Sequence, residues 1–216
     1  MLQVMVILSR GMKMSELVWG VGVNDRTRPT FVDGKIVKEY TLWHSMLERC
    51  FSEKEQTRQP TYKGCSVSDN FLHYSFFYDW CQEQIGFGKV DEKGRYWQLD
   101  KDLLFVDNKT YSETACVFVP QEINLFFTDR GNDRGDYPVG VHFNKASGKF
   151  MAYCAVNGKR QHLGLFNTPQ EAFAVYKPFK EALCKELALK WRDEIDPRLF
   201  NSMMNWEVKL CTMKSK

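Results

Sequence analysis

Two groups of side chains in this 216-residue chain have types and spacing that suit chemistry. The first is a compact acidic pair, Asp100 and Asp102, which flanks Lys101 in the run RYWQLDKDLL. Carboxylates can move protons in a hydrolytic site, and Asp102 is a candidate for that role. A solvated acidic strand end gives the same pattern. The sequence leaves both interpretations open.

The second group is basic. Between Tyr137 and Lys190, eight Lys and Arg oppose three Glu, whereas the whole chain carries 30 Lys and Arg against 27 Asp and Glu. A basic segment inside a nearly neutral chain is expected where a protein contacts phosphates. An ordinary solvated surface is the alternative.

Strand and helix signals alternate around the acidic pair. We predict a strand over 95–104, a turn over 106–113, a second strand over 115–119, and a helix that starts at Pro120 and runs to about Phe127. Two helices are predicted upstream, over 40–51 and over 70–84. The aromatic side chains of these helices, including Trp43 and Trp80, fit a core better than a stacking platform for bases.

Three short strand patterns fill the segment from Tyr137 to Phe166, with turns at Ser147-Gly148 and Asn157-Gly158. Thr168, Pro169 and Glu171 then form a capping-box pattern, which predicts a helix to about Trp191. Its spacing predicts a buried stripe made of Ala172, Val175, Tyr176, Phe179, Leu183 and Leu187.

The chain divides by composition. Residues 129–136 (DRGNDRGD) are polar and rich in glycine, as in a linker. We expect an extension over 1–14, where Met12 and Met14 are alternative starts, a first domain over 15–128, a second over 137–191, and a tail over 192–216.

Seven cysteines without a CxxC pair indicate reduced thiols. With no apolar run of about 20 residues, we expect an intracellular protein without membrane contact.

The second domain resembles the AP2/ERF DNA-binding domain. The resemblance is carried by Gly140-Val141, by Gly148-Lys149-Phe150, and by the LGxFxTxxEAxxxY pattern from Leu163 to Tyr176. It implies a three-stranded sheet that lies in the major groove of double-stranded DNA. The implied DNA-binding residues are His142, Asn144, Lys145, Lys149, Tyr153, Lys159, Arg160 and His162.

The first domain resembles the HNH endonucleases of phages and mobile elements, through the stretch from Leu99 to Asn124. The resemblance implies a ββα-metal unit in which Asp100 and Asn124 hold one Mg²⁺ or Mn²⁺, with no organic cofactor. It places Asp100, Lys101 and Asp102 in the catalytic centre. Lys101 occupies the position of the general-base histidine, and Ala115 that of a supporting asparagine. His44, His73 and Asp102 are the alternative bases.

These observations predict an α+β protein: a helical, HNH-like domain followed by an AP2-like sheet and helix. Two functions follow from the resemblances. One is a metal-dependent DNA endonuclease or nickase of the homing type. The other is an inactive relative, in the cytoplasm of a bacterial host, that binds DNA or inhibits a host protein; Lys101 and Ala115 favour it.

Overall fold

The computed structural model describes residues 17–128, 137–156 and 158–209. The predicted extension, the predicted linker over 129–136 and Asn157 of the predicted turn lie outside the described residues. The fold is α+β, as predicted, and divides into two compact units. One unit reaches Asn124 and includes Glu194–Asp196, and the other comprises Leu125–Asp193 and the chain from Pro197 onward.

The first unit combines helices with three two-stranded sheets. Its elements are β1 (Phe31–Val32), β2 (Lys35–Ile36), α1 (Lys38–Phe51), α2 (Glu53–Arg58), β3 (Ser66–Val67), α3 (Tyr74–Glu83), β4 (Gln98–Asp100), β5 (Thr110–Tyr111), β6 (Val117–Val119) and α4 (Gln121–Phe127), the last of which continues into the second unit. β1 pairs with β2 and β4 with β6, both antiparallel, whereas β3 and β5 pair in parallel.

Aromatic side chains form the core of this unit, as predicted. Trp43 on α1 is fully buried, its ring centroid lies 5.3 Å from that of Tyr74 on α3, and its indole N–H donates to the carbonyl of Phe71 at 2.8 Å. The ring of Trp80 lies 4.8 Å from that of Phe71. Rings buried this deeply cannot serve as a stacking platform for bases.

Two predicted elements are shorter than their patterns suggested. The helix predicted from residue 70 begins at Tyr74, because the backbone next to His73 is extended and bonds to Val23 on both sides. The strand predicted over 95–104 ends at Asp100, whose Oδ1 accepts the backbone N–H groups of Asp102 at 2.7 Å and Leu103 at 3.0 Å. This aspartate turn reverses the chain at the acidic pair.

The second unit contains an antiparallel three-stranded sheet and one long helix. Its elements are β7 (Val141–Asn144), β8 (Lys149–Val156), β9 (Lys159–Phe166), α5 (Pro169–Trp191) and α6 (Pro197–Met204). The predicted capping box at Thr168 and Glu171 is present. The predicted stripe was partly wrong: Val175 is 38% exposed, while Phe173, Cys184 and Ala188 are buried. The helix packs against both the sheet and the described part of the C-terminal segment.

The described part of the C-terminal tail packs into this unit. Val208 belongs to the same buried cluster as Ala152 and Tyr176. Its backbone N–H donates to the Glu181 carboxylate at 2.9 Å, and Lys177 bonds the same oxygen at 2.6 Å. Val208, which lies in the segment assigned to the C-terminal tail, therefore contributes to the core of the second unit.

We expect the stabilising contact between the Glu181 carboxylate and the C-terminal segment to depend on pH. Burial raises the pKa of this carboxyl, but the hydrogen bonds from Lys177 and Val208 together lower it below its usual 4.5. A lowered pKa stabilises the fold above the usual value, and this stabilisation is lost as the pH falls. Glu181→Gln should lower the stability of the second unit near neutral pH, and the deficit should shrink below pH 4.5.

Urea unfolding at pH values from about 3 to 7 measures this difference. Glu186→Gln, at an exposed position of the same helix, is the control and should show no such trend. A deficit for Glu181→Gln that stays constant across the range would contradict the expectation.

None of the helices in the described residues is long and apolar enough to span a membrane. The six described cysteines carry free thiols, and all six are buried. Burial raises the pKa of the Cys50 thiol to about 12. These thiols pack as small apolar side chains.

Candidate functional site

The β4–β6–α4 segment builds one side of a cleft in the first unit. Leu99 of β4 pairs with Phe118 of β6, and α4 follows β6 after Pro120. The cleft has a volume of about 520 Å³. Its lining includes every residue predicted for the catalytic and metal site: Asp100, Lys101, Asp102 and Asn124. The structure thus brings together side chains that were selected from the sequence.

The opposite side of the cleft is a polar stripe on α1 that the sequence analysis missed. The stripe consists of Lys38, Thr41, Ser45 and Arg49, and Leu42 lies beside it in the lining. These positions are three or four residues apart and share one face of the helix. The buried residues Trp43, Met46, Leu47 and Cys50 form another face. Polar residues that repeat at helical spacing, separate from the buried face, were the sequence signal that could have predicted this second face.

Aromatic residues complete the lining: Tyr62, Tyr96, Trp97 and Tyr111. Tyr96 is 58% exposed, and the ammonium group of Lys38 lies 3.9 Å from the centroid of its ring. Arg49 hydrogen-bonds the side chain of Tyr111, and its guanidinium lies 5.4 Å from the ring centroid of Tyr62. Each cation of the α1 stripe is therefore held against aromatic groups.

Asp100 is the most perturbed carboxyl of the cleft. Burial raises its pKa, and the adjacent charge of Asp102 adds to the increase, whereas the N–H groups of Asp102 and Leu103 act in the opposite direction. A carboxyl whose ionised form is disfavoured is a typical feature of functional sites, because a bound cation or a proton relieves the cost.

Lys101 is engaged within its own loop. The residue is 5% exposed, and its ammonium group donates to Asp102 at 2.5 Å and to the carbonyl of Asn108 at 3.2 Å. The side-chain amide of Asn108 donates back to the carbonyl of Lys101 at 2.7 Å. An ammonium in such an ion pair has no lone pair that could accept a proton. Its geometry is that of a loop anchor.

Neither histidine of the first unit reaches the cleft lining. The ring of His44 lies 5.4 Å from that of Trp19 and 6.2 Å from that of Tyr40. His73 precedes α3 and bonds through its backbone. The two histidines considered as alternative bases are thus not among the described residues that line the cleft.

The amide of Asn124 donates to the side-chain oxygen of Gln98, which fixes it against β4. Asp100 and Asn124 offer a carboxylate and an amide oxygen, a donor set that suits Mg²⁺ that retains several waters. Within the described residues, no group of three or more His, Cys, Asp or Glu could hold a metal ion.

The sheet of the second unit sorts the predicted DNA-binding residues onto one face. His142 lies opposite Met151, Asn144 opposite Lys149, Tyr153 opposite His162, and Arg160 opposite Ala155. Paired residues share a face, and residues two apart in a strand share it as well. The outer face therefore carries His142, Asn144, Lys149, Tyr153, Arg160 and His162.

The inner face of the same sheet packs on α5. Ala152 and Cys154 are buried in a cluster with Ala172 and Tyr176. The remaining two predicted residues, Lys145 and Lys159, are exposed at the ends of strands. On the outer face, the guanidinium of Arg160 lies 4.7 Å from the ring centroid of Tyr153.

Comparison with known proteins finds no matching family model, no matching curated protein and no matching solved structure.

Proposed function

We propose that this protein binds double-stranded DNA through the outer face of the β7–β8–β9 sheet. The observation that carries the proposal is the register: it collects two cations, two histidines, an asparagine and a tyrosine on the face opposite α5. A short antiparallel sheet fits the width of the major groove. Cations contact phosphates, and asparagine and histidine side chains can contact base edges.

Charge supports the same face. Lys145, Lys149, Lys159 and Arg160 are all exposed on the sheet or at the ends of its strands. Acidic side chains are absent from the described residues of these three strands, because the three Glu of this segment lie on α5. A phosphate backbone laid on the sheet therefore meets cations without repulsion from the strands themselves.

Arg160→Ala is expected to weaken binding to a labelled duplex about tenfold, the loss of one strong contact. Fluorescence anisotropy at salt concentrations from about 50 to 200 mM should also show a salt slope that is smaller by about one. Arg160 is exposed on β9, so the variant should keep its fold.

Lys185→Ala is the matched control, since it removes one positive charge from an exposed position of α5. It should leave the affinity nearly unchanged. If both variants bind the duplex as tightly as the parent does, with the same salt slope, the sheet is not the DNA-binding surface.

A metal-dependent DNA endonuclease is the second candidate, and the position of Asp100 and Asn124 in one cleft favours it. Asp100 and Asn124 would hold Mg²⁺ or Mn²⁺, which would stabilise charge on a phosphodiester. The ammonium group of Lys101 is occupied by hydrogen bonds within its loop. DNA binding without efficient cleavage therefore agrees better with the geometry than the endonuclease does.

Supercoiled plasmid incubated with Mg²⁺ or Mn²⁺ distinguishes these candidates. Retarded, uncut plasmid is expected for the parent and for Asp100→Ala. Nicking by the unsubstituted protein, but not by Asp100→Ala, would establish nuclease activity. It would also contradict the proposal of DNA binding without efficient cleavage.

A further inference from the structure

The polar stripe of α1 is unusual for a helix that covers a core. An amphipathic helix normally needs one buried face, and α1 has it in Trp43 and Leu47. Lys38, Thr41, Ser45 and Arg49 follow a second line along the same helix and face the cleft. The endonuclease resemblance assigns no role to any of them.

Lys38 is the most informative residue of the stripe. Its ammonium nitrogen is shielded from solvent and donates no hydrogen bond within the described part of the chain. It lies over the rings of Tyr96, at 3.9 Å, and Phe87, at 5.0 Å. Burial lowers the pKa of this group, since aromatic faces only partly replace water.

The helix end adds to the positive potential at this point. Lys38 is the first residue of α1, and Val37 before it provides no side-chain cap. The N-terminus of a helix carries a partial positive charge and unpaired N–H groups. Glu39 in the same turn offsets part of this positive charge, and an anion in the cleft would offset the remainder.

The rest of the cleft suits a ligand that is anionic at one end and polar and flat at the other. Tyr96 has a cation against its ring and is still more than half exposed, which leaves aromatic surface for stacking. Opposite α1, Asp100 and the amides of Gln98 and Asn124 form a polar strip. Carboxyl and amide groups hydrogen-bond the amino and carbonyl edges of nucleobases.

We propose that this cleft binds a nucleotide, with its phosphate at Lys38 and its base on Tyr96, edge toward Gln98 and Asn124. The cleft volume of about 520 Å³ lies in the range of small-molecule sites. Inorganic phosphate would contact only the Lys38 end of the cleft, and an uncharged base would contact only Tyr96 and the polar strip. The binding does not depend on the sheet of the second unit.

The nucleotide can be free or part of a single strand, and Arg49 separates these sources. Lys38 and Arg49 are about three helical turns apart, roughly 16 Å along the axis, so a single phosphate cannot contact both. A free nucleotide engages Lys38 alone, whereas a strand that follows α1 places a further phosphate near Arg49.

The test uses the full chain with two probes, deoxyadenosine monophosphate and a labelled deoxyadenosine hexamer. Calorimetry measures the first and anisotropy the second. Lys38→Gln and Tyr96→Ala should each lower the affinity for both probes about tenfold. Arg49→Gln should weaken the hexamer alone if the ligand is a strand, and neither probe if it is a free nucleotide.

Lys35→Gln is the matched control, because Lys35 is an exposed lysine on β2 outside the cleft lining. Thermal melting confirms that each variant is folded; Tyr96 is 58% exposed, so its truncation should leave the fold intact. Arg160→Ala, on the sheet, should leave binding of the mononucleotide unchanged, which separates this result from the proposed function. Binding no tighter than that of inorganic phosphate, or equal binding by parent, Lys38→Gln and Tyr96→Ala, would overturn the proposal.

Discussion

Replacing Gly140 with alanine should destabilise the second unit by about 3 kcal/mol. Gly140 has φ +76°, in the left-handed region that favours glycine, and an added Cβ would lie 2.2 Å from Cδ2 of Tyr176. Tyr176 is 6% exposed in the core, so its ring cannot move aside without disturbing neighbours. The Gly140 carbonyl also accepts the N–H of Tyr153 at 3.0 Å. The substitution therefore strains the attachment of β7 to β8.

Gly148→Ala is the control that separates backbone strain from the clash. Gly148 has φ +67°, and an added Cβ there would meet nothing within 4 Å. It should cost only about 1 kcal/mol, the penalty of the left-handed conformation. Hydrogen exchange of the β8 amides in the full chain reports the stability of this unit. Equal losses of protection in the two variants would show that Gly140 does not pack tightly on Tyr176.

The second large effect is expected at Lys101. Lys101→Ala should destabilise the first unit by about 2 to 3 kcal/mol, because it removes a buried stem and leaves the Asn108 carbonyl without that donor. Asp102 is more than half exposed and would be solvated, which limits the cost. Urea unfolding, followed through tryptophan fluorescence to which the buried Trp43 contributes, measures the change.

Lys109→Ala is the matched control for this prediction. Lys109 also donates to a backbone carbonyl, that of Thr61 at 2.9 Å, but it is exposed. Its removal should cost less than about 0.5 kcal/mol. If Lys101→Ala lowers the free energy of unfolding as little as Lys109→Ala does, Lys101 is not a structural anchor. A catalytic role for Lys101 would then regain support.

The anchor role of Lys101 also bears on the endonuclease hypothesis. Introducing histidine at this position would supply an imidazole and break the bonds to Asp102 and Asn108 at the same time. We therefore expect Lys101→His to loosen the 101–108 loop without producing DNA cleavage.

Local rules in the sequence determined several elements of the fold. Thr168 and Glu171 fix the start of α5, since a capping box needs only residues three apart. Tyr153 and Arg160 were selected through the AP2/ERF resemblance, and the register of β8 and β9 places both on the outer face of the sheet. The order of β4, β6 and α4 was likewise predicted from the sequence pattern, whereas the pairing of Asp100 with Asn124 was implied by the HNH resemblance.

Other features depend on contacts between distant segments, and only the tertiary structure decided them. The parallel pairing of Ser66 with Thr110 joins strands of two residues, too short to show a pattern. Val208 enters the core through a hydrogen bond to Glu181, 27 positions earlier in the chain.

The cleft itself is the clearest case. A polar stripe on a helix has the same sequence whether it faces water or a cleft, so the sequence by itself does not assign Lys38 and Arg49 to a site. The sequence grouped Asp100 and Asn124 through its resemblance to HNH endonucleases, which concerns adjacent elements of one segment. It could not place α1 opposite them, since helix packing depends on the shapes of side chains that meet only in the folded chain.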